Sequence, residues 1–176
     1  MTDMPPDRLM LDRFATPIGE ALVVFDAEGV LRAFNWRDYE PSMRGWLAKR
    51  YPAAQLADAA APAALRGAFE AYFQGDARAL EAISWRAAGT DFQQQVWRTL
   101  RTIPAGETLS YAGLAARIGR PSAMRAVGLA NGANPVALVV PCHRVIGANG
   151  TLTGYGGGLR RKLWLLTHER EALGRI

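Results

Sequence analysis

Residues 134–158, NPVALVVPCHRVIGANGTLTGYGGG, decide how the rest of the chain is read. They hold the only cysteine among 176 residues. The segment opens on an Asn-Pro turn signal. It continues as a short apolar run, residues 136–140, whose pattern predicts a buried strand. Pro141 stops the run, so Cys142 falls at a strand end, where the backbone has to turn. His143 follows directly, and a series of glycines (Gly147, Gly150, Gly154, Gly156, Gly157, Gly158) leads into the last helix. A thiol at a strand end, an imidazole beside it and a flexible loop folding back are the parts of a nucleophile pocket.

Downstream, a helix is expected from about Leu159 to Leu173, with Leu159, Leu163, Leu166 and Leu173 facing inward. Arg160, Arg161 and Lys162 stand in its first turn, where cations oppose the helix dipole. They point either to a nearby anion or to a plain solvated charge run. Upstream, Ser110 can cap a helix over residues 111–118, with Leu114 and Ile118 inward. Gly119-Arg120-Pro121-Ser122 makes a tight turn, and Ser122 can cap a second helix over residues 123–131. Two short helices so joined read as helix-turn-helix. The second carries Ala123, Ala126, Gly128 and Ala130, with Arg125 as its one long basic side chain. A helix that reads the major groove carries several long polar side chains. This small-faced one suits a narrow groove, or packing against another helix, which is the plainer reading.

Further upstream, Thr90-Asp91-Phe92-Gln93 has the form of a capping box. Phe92, Val96, Leu100 and Ile103 then mark one helical face. We place a domain boundary at residue 89, giving domains of residues 1–88 and 89–176. In the first, short alternating runs between residues 8 and 36, separated by Thr16-Pro17-Ile18-Gly19 and Asp26-Ala27-Glu28-Gly29, predict an antiparallel meander. A helix opens at Pro41-Ser42 with Met43, Trp46 and Leu47, and another spans residues 61–73 with Leu65, Phe69 and Phe73 inward. Residues 83–87 read as one more strand. No chemistry is visible in this half. The fold class is α+β: a small antiparallel-sheet and helix domain, then a mainly helical, winged-helix-like domain.

Composition bounds the function. With 49% hydrophobic and 21% charged residues, a packed core is expected and disorder is not. No apolar run approaches the roughly 18 residues of a membrane span. The N-terminus, MTDMPPDRLM, lacks an apolar signal core, which argues against export. One cysteine and two histidines exclude an internal disulfide and leave too few ligands for a structural zinc site. The expectation is a cytoplasmic protein that uses neither metal nor cofactor. A net charge of +5 fits a polyanionic partner or an ordinary solvated basic face.

A lone cysteine is more often a small buried hydrophobe than a nucleophile. Here its position beside Pro141, the adjoining histidine and the glycine-rich backbone favour the nucleophile. Adjacent side chains on an extended chain point apart, so Cys142 and His143 need a bend or a bridging water to communicate. The base also needs an orienting group, for which Glu169 and His168 are candidates.

PCHRVIG, with SYAGLAARIGRPSAMRAVGLANGANP before it and GTLTGYGGGLRRKLWLLTHE after it, closely resembles the O6-alkylguanine-DNA alkyltransferases, also called methylated-DNA–protein-cysteine methyltransferases. The resemblance is strongest over residues 90–170, and LDRFATPIGEALVVFDAEGVLRAFNW resembles the bacterial stand-alone form. It implies that Cys142 accepts an alkyl group, that His143 takes the thiol proton through a water, and that Glu169 orients His143. Asn134 would brace the turn before the cysteine. Tyr111 would act at a flipped nucleotide, and Arg125 would fill the vacated place in the base stack. Ala126, Gly128 and Asn131 would share the DNA-binding face. Val145 and Tyr155 would line the pocket, and the backbone N–H of Gly156, where many relatives have serine or alanine, would donate to the guanine oxygen. The implied partner is double-stranded DNA containing O6-alkylguanine, with O4-alkylthymine as a second substrate. No membrane is implied; the protein would be a monomer, with cooperative assembly on DNA left open. Two rival readings stand beside it: a cysteine hydrolase using the same Cys142 and His143, which would turn over, and a helix-turn-helix DNA-binding protein without chemistry, which would survive loss of Cys142.

Overall fold

Alternation between residues 8 and 36 becomes three antiparallel strands in the computed structural model, which describes residues 4–175. These are β1 (Arg8–Thr16), β2 (Gly19–Asp26) and β3 (Leu31–Trp36). The period of two sends alternate β2 side chains to opposite faces, and both faces are covered. Leu22 and Val24 pack with Leu9, Leu11 and Ala33 against Met43 and Leu47 of α1 (Glu40–Arg50). Ala21, Val23 and Phe25 face the main core, with Phe34 and Trp36. There α2 (Ala63–Phe73) contributes Leu65, Phe69 and Tyr72, and Phe69 stacks on Phe34 at 5.3 Å.

The sheet is not purely antiparallel. A fourth strand, β4 (Gln55–Asp58), pairs parallel with β1, giving the order β3-β2-β1-β4. Its sequence, QLAD, buries only Leu56 in part, so it carries no apolar alternation to read. The strand expected over residues 83–87 does not form. The chain touches the β3 edge once, through Leu31 N to Ser84 O and Arg86 N to Leu31 O, and departs.

After residue 89 the main core continues without a break in packing: Val96, Trp97, Leu100, Val127, Val140 and Leu165 belong to the same cluster as Phe34 and Phe69. The capping box forms as expected, with Gln93 N on Thr90 Oγ1 at 3.2 Å and Thr90 N on Gln93 Oε1 at 3.0 Å. It starts α3 (Asp91–Leu100), whose Val96 and Leu100 are buried, as is Ile103 beyond its end. A short strand, β5 (Leu109–Ser110), precedes α4 (Tyr111–Arg117), and Ser110 caps that helix through Gly113 N at 2.9 Å. The next helix, α5 (Met124–Gly132), begins differently from expectation. Its N-cap is Ala123, without a side-chain bond, because Ala123 N closes the preceding turn on Arg120 O. Trp97 Nε1 donates to Ala130 O at 2.8 Å and fixes α5 against α3.

The apolar run at residues 136–140 is not a regular strand. Phe34 N on β3 donates to Pro135 O, and the chain then folds into a buried turn closed by Val140 N on Val136 O. Leu138 sits at φ 70°, a left-handed conformation that interrupts any extended pairing. A two-residue strand, β6 (Val145–Ile146), pairs parallel with β5. The last helix, α6 (Leu159–Ala172), presents Lys162, Leu165, Leu166 and Glu169 inward, an i, i+3, i+4, i+7 face. Leu159 and Leu163 are therefore exposed, at 48% and 56%, contrary to the expected phase. One first-turn cation finds its anion within the protein: Arg161 makes two bonds to Asp38 at 2.9 Å and lies over the Trp36 ring.

Thr90→Ala removes half of the capping box without touching the core. It is expected to lower stability by about 1 kcal/mol, read as an earlier urea midpoint with unchanged slope.

Candidate active site

Pro141, at φ −82° and ψ 65°, turns the chain into a single 3-10 turn over Cys142–Arg144. This curvature, rather than a strand end, lets three consecutive side chains all point inward. Cys142 is 6% exposed, His143 is fully enclosed and Arg144 is 7% exposed. Asn134 braces the approach. Its Nδ2 donates to Val140 O at 2.8 Å, and its Oδ1 accepts from Val136 N at 2.9 Å. Both ends of the buried turn are thereby tied to one side chain.

The centre of the arrangement is Glu169 on α6, fully buried. Its Oε1 lies 2.7 Å from His143 Nε2 and accepts from Arg144 at 2.9 Å and from Tyr72 Oη at 2.9 Å. Its Oε2 accepts from Arg144 Nε at 2.9 Å and from Gly106 N at 3.4 Å. Arg144 also donates to Ile103 O at 2.7 Å. Burial alone would raise the Glu169 carboxyl, but His143 and the Arg144 fork outweigh it and hold the group well below the usual carboxylate range. An ionised Glu169 accepts only, so the proton of a neutral His143 sits on Nε2. Nδ1 is then a free lone pair, buried and without a hydrogen-bond partner among the described residues. That nitrogen is the basic atom of the site.

Burial keeps both reactive groups neutral at rest. It pushes the Cys142 thiol up, partly countered by Asn134 and the charge of Lys162. It pushes His143 down, against the opposing pull of Glu169.

A cavity of about 110 Å³ opens above the thiol. Phe34, Asn35 and Trp36 of β3, Asn131 of α5, and residues 154–157 of the glycine-rich loop line it. Gly157 is required by close packing: a Cβ there would stand 2.7 Å from both Trp36 Nε1 and the Tyr155 ring. At Gly156, by contrast, a Cβ would meet only open space. The fully buried Lys162 fastens this loop, with Nζ on Val145 O at 2.6 Å and on Thr153 O at 2.8 Å. A larger hollow, about 1010 Å³ beside Arg8 and Arg98, contains neither thiol nor imidazole.

The structure gathers most of the residues singled out from sequence. Cys142, His143, Glu169 and Asn134 converge, and Val145 lies fully buried beside them. Tyr155 borders the cavity with its hydroxyl buried. Tyr111 reaches the loop through Oη on Thr153 O at 3.2 Å, and its ring fronts Gly128. Arg125 and Ala126 stand on the exposed face of α5, next to an exposed Leu129. Asn131 instead turns inward to the cavity wall, 4% exposed. His168 does not orient His143: its Nε2 bonds Tyr72 O at 2.6 Å and its ring stacks on Trp164. Sequence reasoning passed over Tyr72, Arg144, Lys162 and Trp36. Lys162 was hidden in a basic run, and Tyr72 and Trp36 looked like ordinary core aromatics.

Among the described residues no group of three His, Cys, Asp or Glu is placed to hold a metal ion, and no helix is long and apolar enough to cross a membrane. Fold and site together define an α+β protein with a buried cysteine, a neighbouring buried histidine paired to a glutamate, and a helix-turn-helix pair. Residues 91–171 match the model of the 6-O-methylguanine DNA methyltransferase DNA-binding domain. The chain is 47% identical over 164 residues to the methylated-DNA–protein-cysteine methyltransferase of Salmonella typhimurium, covering 92% of this chain and 96% of that one. The fold matches the Mycobacterium tuberculosis O6-methylguanine methyltransferase with a TM-score of 0.76 at 42% identity, covering 93% of this chain and 94% of the other. A structure of Mycobacterium tuberculosis OGT in complex with DNA matches with a TM-score of 0.76 at 38% identity, covering 94% of each chain. The chain belongs to the methylated-DNA–protein-cysteine methyltransferase family.

Glu169 and His143 both hold fewer protons when folded than when unfolded, since both folded values are depressed. Their contribution to stability is thus complete above the unfolded values, about 4.3 for a glutamate and 6.5 for a histidine, and falls away on acidification below each. Urea midpoints measured from pH 7 downward should decline. Glu169→Gln should be less stable at pH 7 and its curve flatter below about pH 4.3. A variant curve parallel to wild type across that range would contradict the depressed Glu169.

Proposed function

We propose that this protein repairs DNA by moving an alkyl group from O6-alkylguanine in duplex DNA to its own Cys142, once per molecule. The observation that carries the reading is the buried thiol at the floor of a small cavity, beside a histidine whose free nitrogen is basic and whose other nitrogen is held by a carboxylate. The thiol proton passes through a water to His143 Nδ1, and Glu169 steadies the imidazolium so formed. The sulfur then displaces the alkyl carbon from O6; a C–S bond forms and the C–O bond breaks. The electron pair stays on the guanine, which takes back a proton as it leaves. The N–H of Gly156 stands at the cavity wall as a donor for that oxygen. Nothing in this scheme cleaves the resulting thioether.

A base inside a duplex cannot reach a buried sulfur, so it is flipped out at a cost of a few kcal/mol. The exposed face of α5, with Arg125 among small residues, fits a minor groove, and Arg125 fills the gap in the stack. Tyr111, at the junction of α4 and the loop, turns the flipped nucleotide. A net charge of +5 supports phosphate contacts without sequence preference. Such a protein acts as a monomer in the cytoplasm, with O4-alkylthymine as a further substrate.

Intact mass after incubation with duplex containing O6-methylguanine should show one added methyl group, located on Cys142, and no turnover. Cys142→Ser should bind the duplex and gain nothing. Repeated turnover would instead favour a hydrolase. Arg125→Ala should slow repair in duplex DNA by at least an order of magnitude while leaving reaction with free O6-benzylguanine nearly unchanged, because a free base skips the flipping step. Equal loss on both substrates would place Arg125 in support of the pocket.

A further inference from the structure

The N-terminal half supplies one polar group to the relay, and it comes from a residue with no visible role in the chemistry. Tyr72 lies in the last turn of α2, fully buried. Its hydroxyl is 2.9 Å from Glu169 Oε1, the same oxygen that faces His143 Nε2 at 2.7 Å. Its backbone carbonyl accepts from His168 Nε2 at 2.6 Å. Two adjacent residues of α6 thus grip one tyrosine, His168 at the backbone and Glu169 at the hydroxyl. The ring is wedged against Phe73 and His168, with centroids 5.2 Å from each. A core tyrosine needs a partner for its hydroxyl, but any nearby carbonyl would have served.

We propose that Tyr72 is a positioning residue for alkyl transfer: its hydroxyl fixes the Glu169 oxygen that holds His143, so that α2 sets the geometry of the base. This rests on the alkyl-transfer reading of Cys142 and His143. Arg144 also pins the carboxylate, but its fork spreads over both oxygens, with Nε on Oε2. Tyr72 acts on Oε1 alone and approaches from α2, so it fixes which lone pair is left for the imidazole. The hydroxyl stays protonated throughout, since burial and the neighbouring Glu169 charge hold it well above its ordinary value. It is a permanent donor and takes no proton from the cycle. Tyr72 and Glu169 are both fully buried, so the bond does not compete with bulk solvent.

Tyr72→Phe keeps the ring and removes only the donor. Transfer from O6-methylguanine duplex should slow by about tenfold, and reaction with free O6-benzylguanine should slow by the same factor, because the base serves both substrates. The pH profile of Cys142 alkylation by iodoacetamide should move to higher pH, as a less well held imidazole supports the thiolate less. His168→Gln loosens the backbone of the same tyrosine but leaves the hydroxyl; its profile should match wild type. Thermal unfolding of each variant reports on folding separately. An unmoved profile in folded Tyr72→Phe overturns the proposal. So does a shift to lower pH with faster reaction, which a hydroxyl that merely draws charge from Oε1 would give. An equal shift in His168→Gln would make α2 packing the cause. If wild type itself fails to take a methyl from duplex DNA, the alkyl-transfer reading fails, whereas the iodoacetamide profile still tests Tyr72.

Discussion

A single buried carboxylate sets the terms for this structure. Taking an ionised glutamate out of water costs several kcal/mol unless charge and hydrogen bonds replace the lost solvent. Glu169, on α6, recovers that cost from three separate segments: His143 and Arg144 on the 3-10 turn, Tyr72 on α2, and the backbone of Gly106 after α3. These segments are scattered from residue 72 to residue 144, and they meet because the carboxylate demands them. The fold is therefore committed to its relay, and a loss at any of these partners strands charge in the core.

The same demand explains why the two halves of the chain share a core. The β3 edge donates to Pro135, and Phe34 and Trp36 form one wall of the cavity. Arg161 stitches the other end, reaching Asp38, Ile18 O and the Trp36 face from the first turn of α6. A helix start crowded with cations is unfavourable taken alone. It is accounted for once Arg161 has Asp38 and Lys162 has the carbonyls that close the loop. Sheet, helix and loop are held at one seam, and the thiol lies beneath it.

Much of this was legible in the residues. Thr90 and Gln93 announced α3, Ser110 announced α4, and the run around Cys142 named both the family and the region of the site. These signals are local: each depends on neighbours within a few positions. What escaped was set by distant contacts. Residues 136–140 have strand composition, yet Leu138 at positive φ and the Asn134 clamp bend them into a turn. Leu159 and Leu163 have core composition, yet Lys162 and Glu169 take the inward face, because polar groups with buried work to do displaced leucines from it. Tyr72 could not be told from a packing aromatic, since its only distinguishing bond spans 97 positions of sequence.

The resting geometry also explains how a reactive thiol can be kept quiet. A preformed thiolate would react with any passing electrophile, but burial keeps Cys142 protonated and His143 neutral. The cavity of about 110 Å³ above the thiol lies between β3, α5 and residues 154–157 of the glycine-rich loop. That segment is glycine-rich and held from both ends, by Lys162 at Thr153 and Gly154, by Tyr111 at Thr153, and by Arg161 at Gly157, which also packs on Trp36. Tyr111 opens α4, so its bond to Thr153 ties the helix pair directly to the loop. Burial thus holds the thiol protonated at rest, while the bond to Glu169 leaves His143 Nδ1 as the free lone pair of the site.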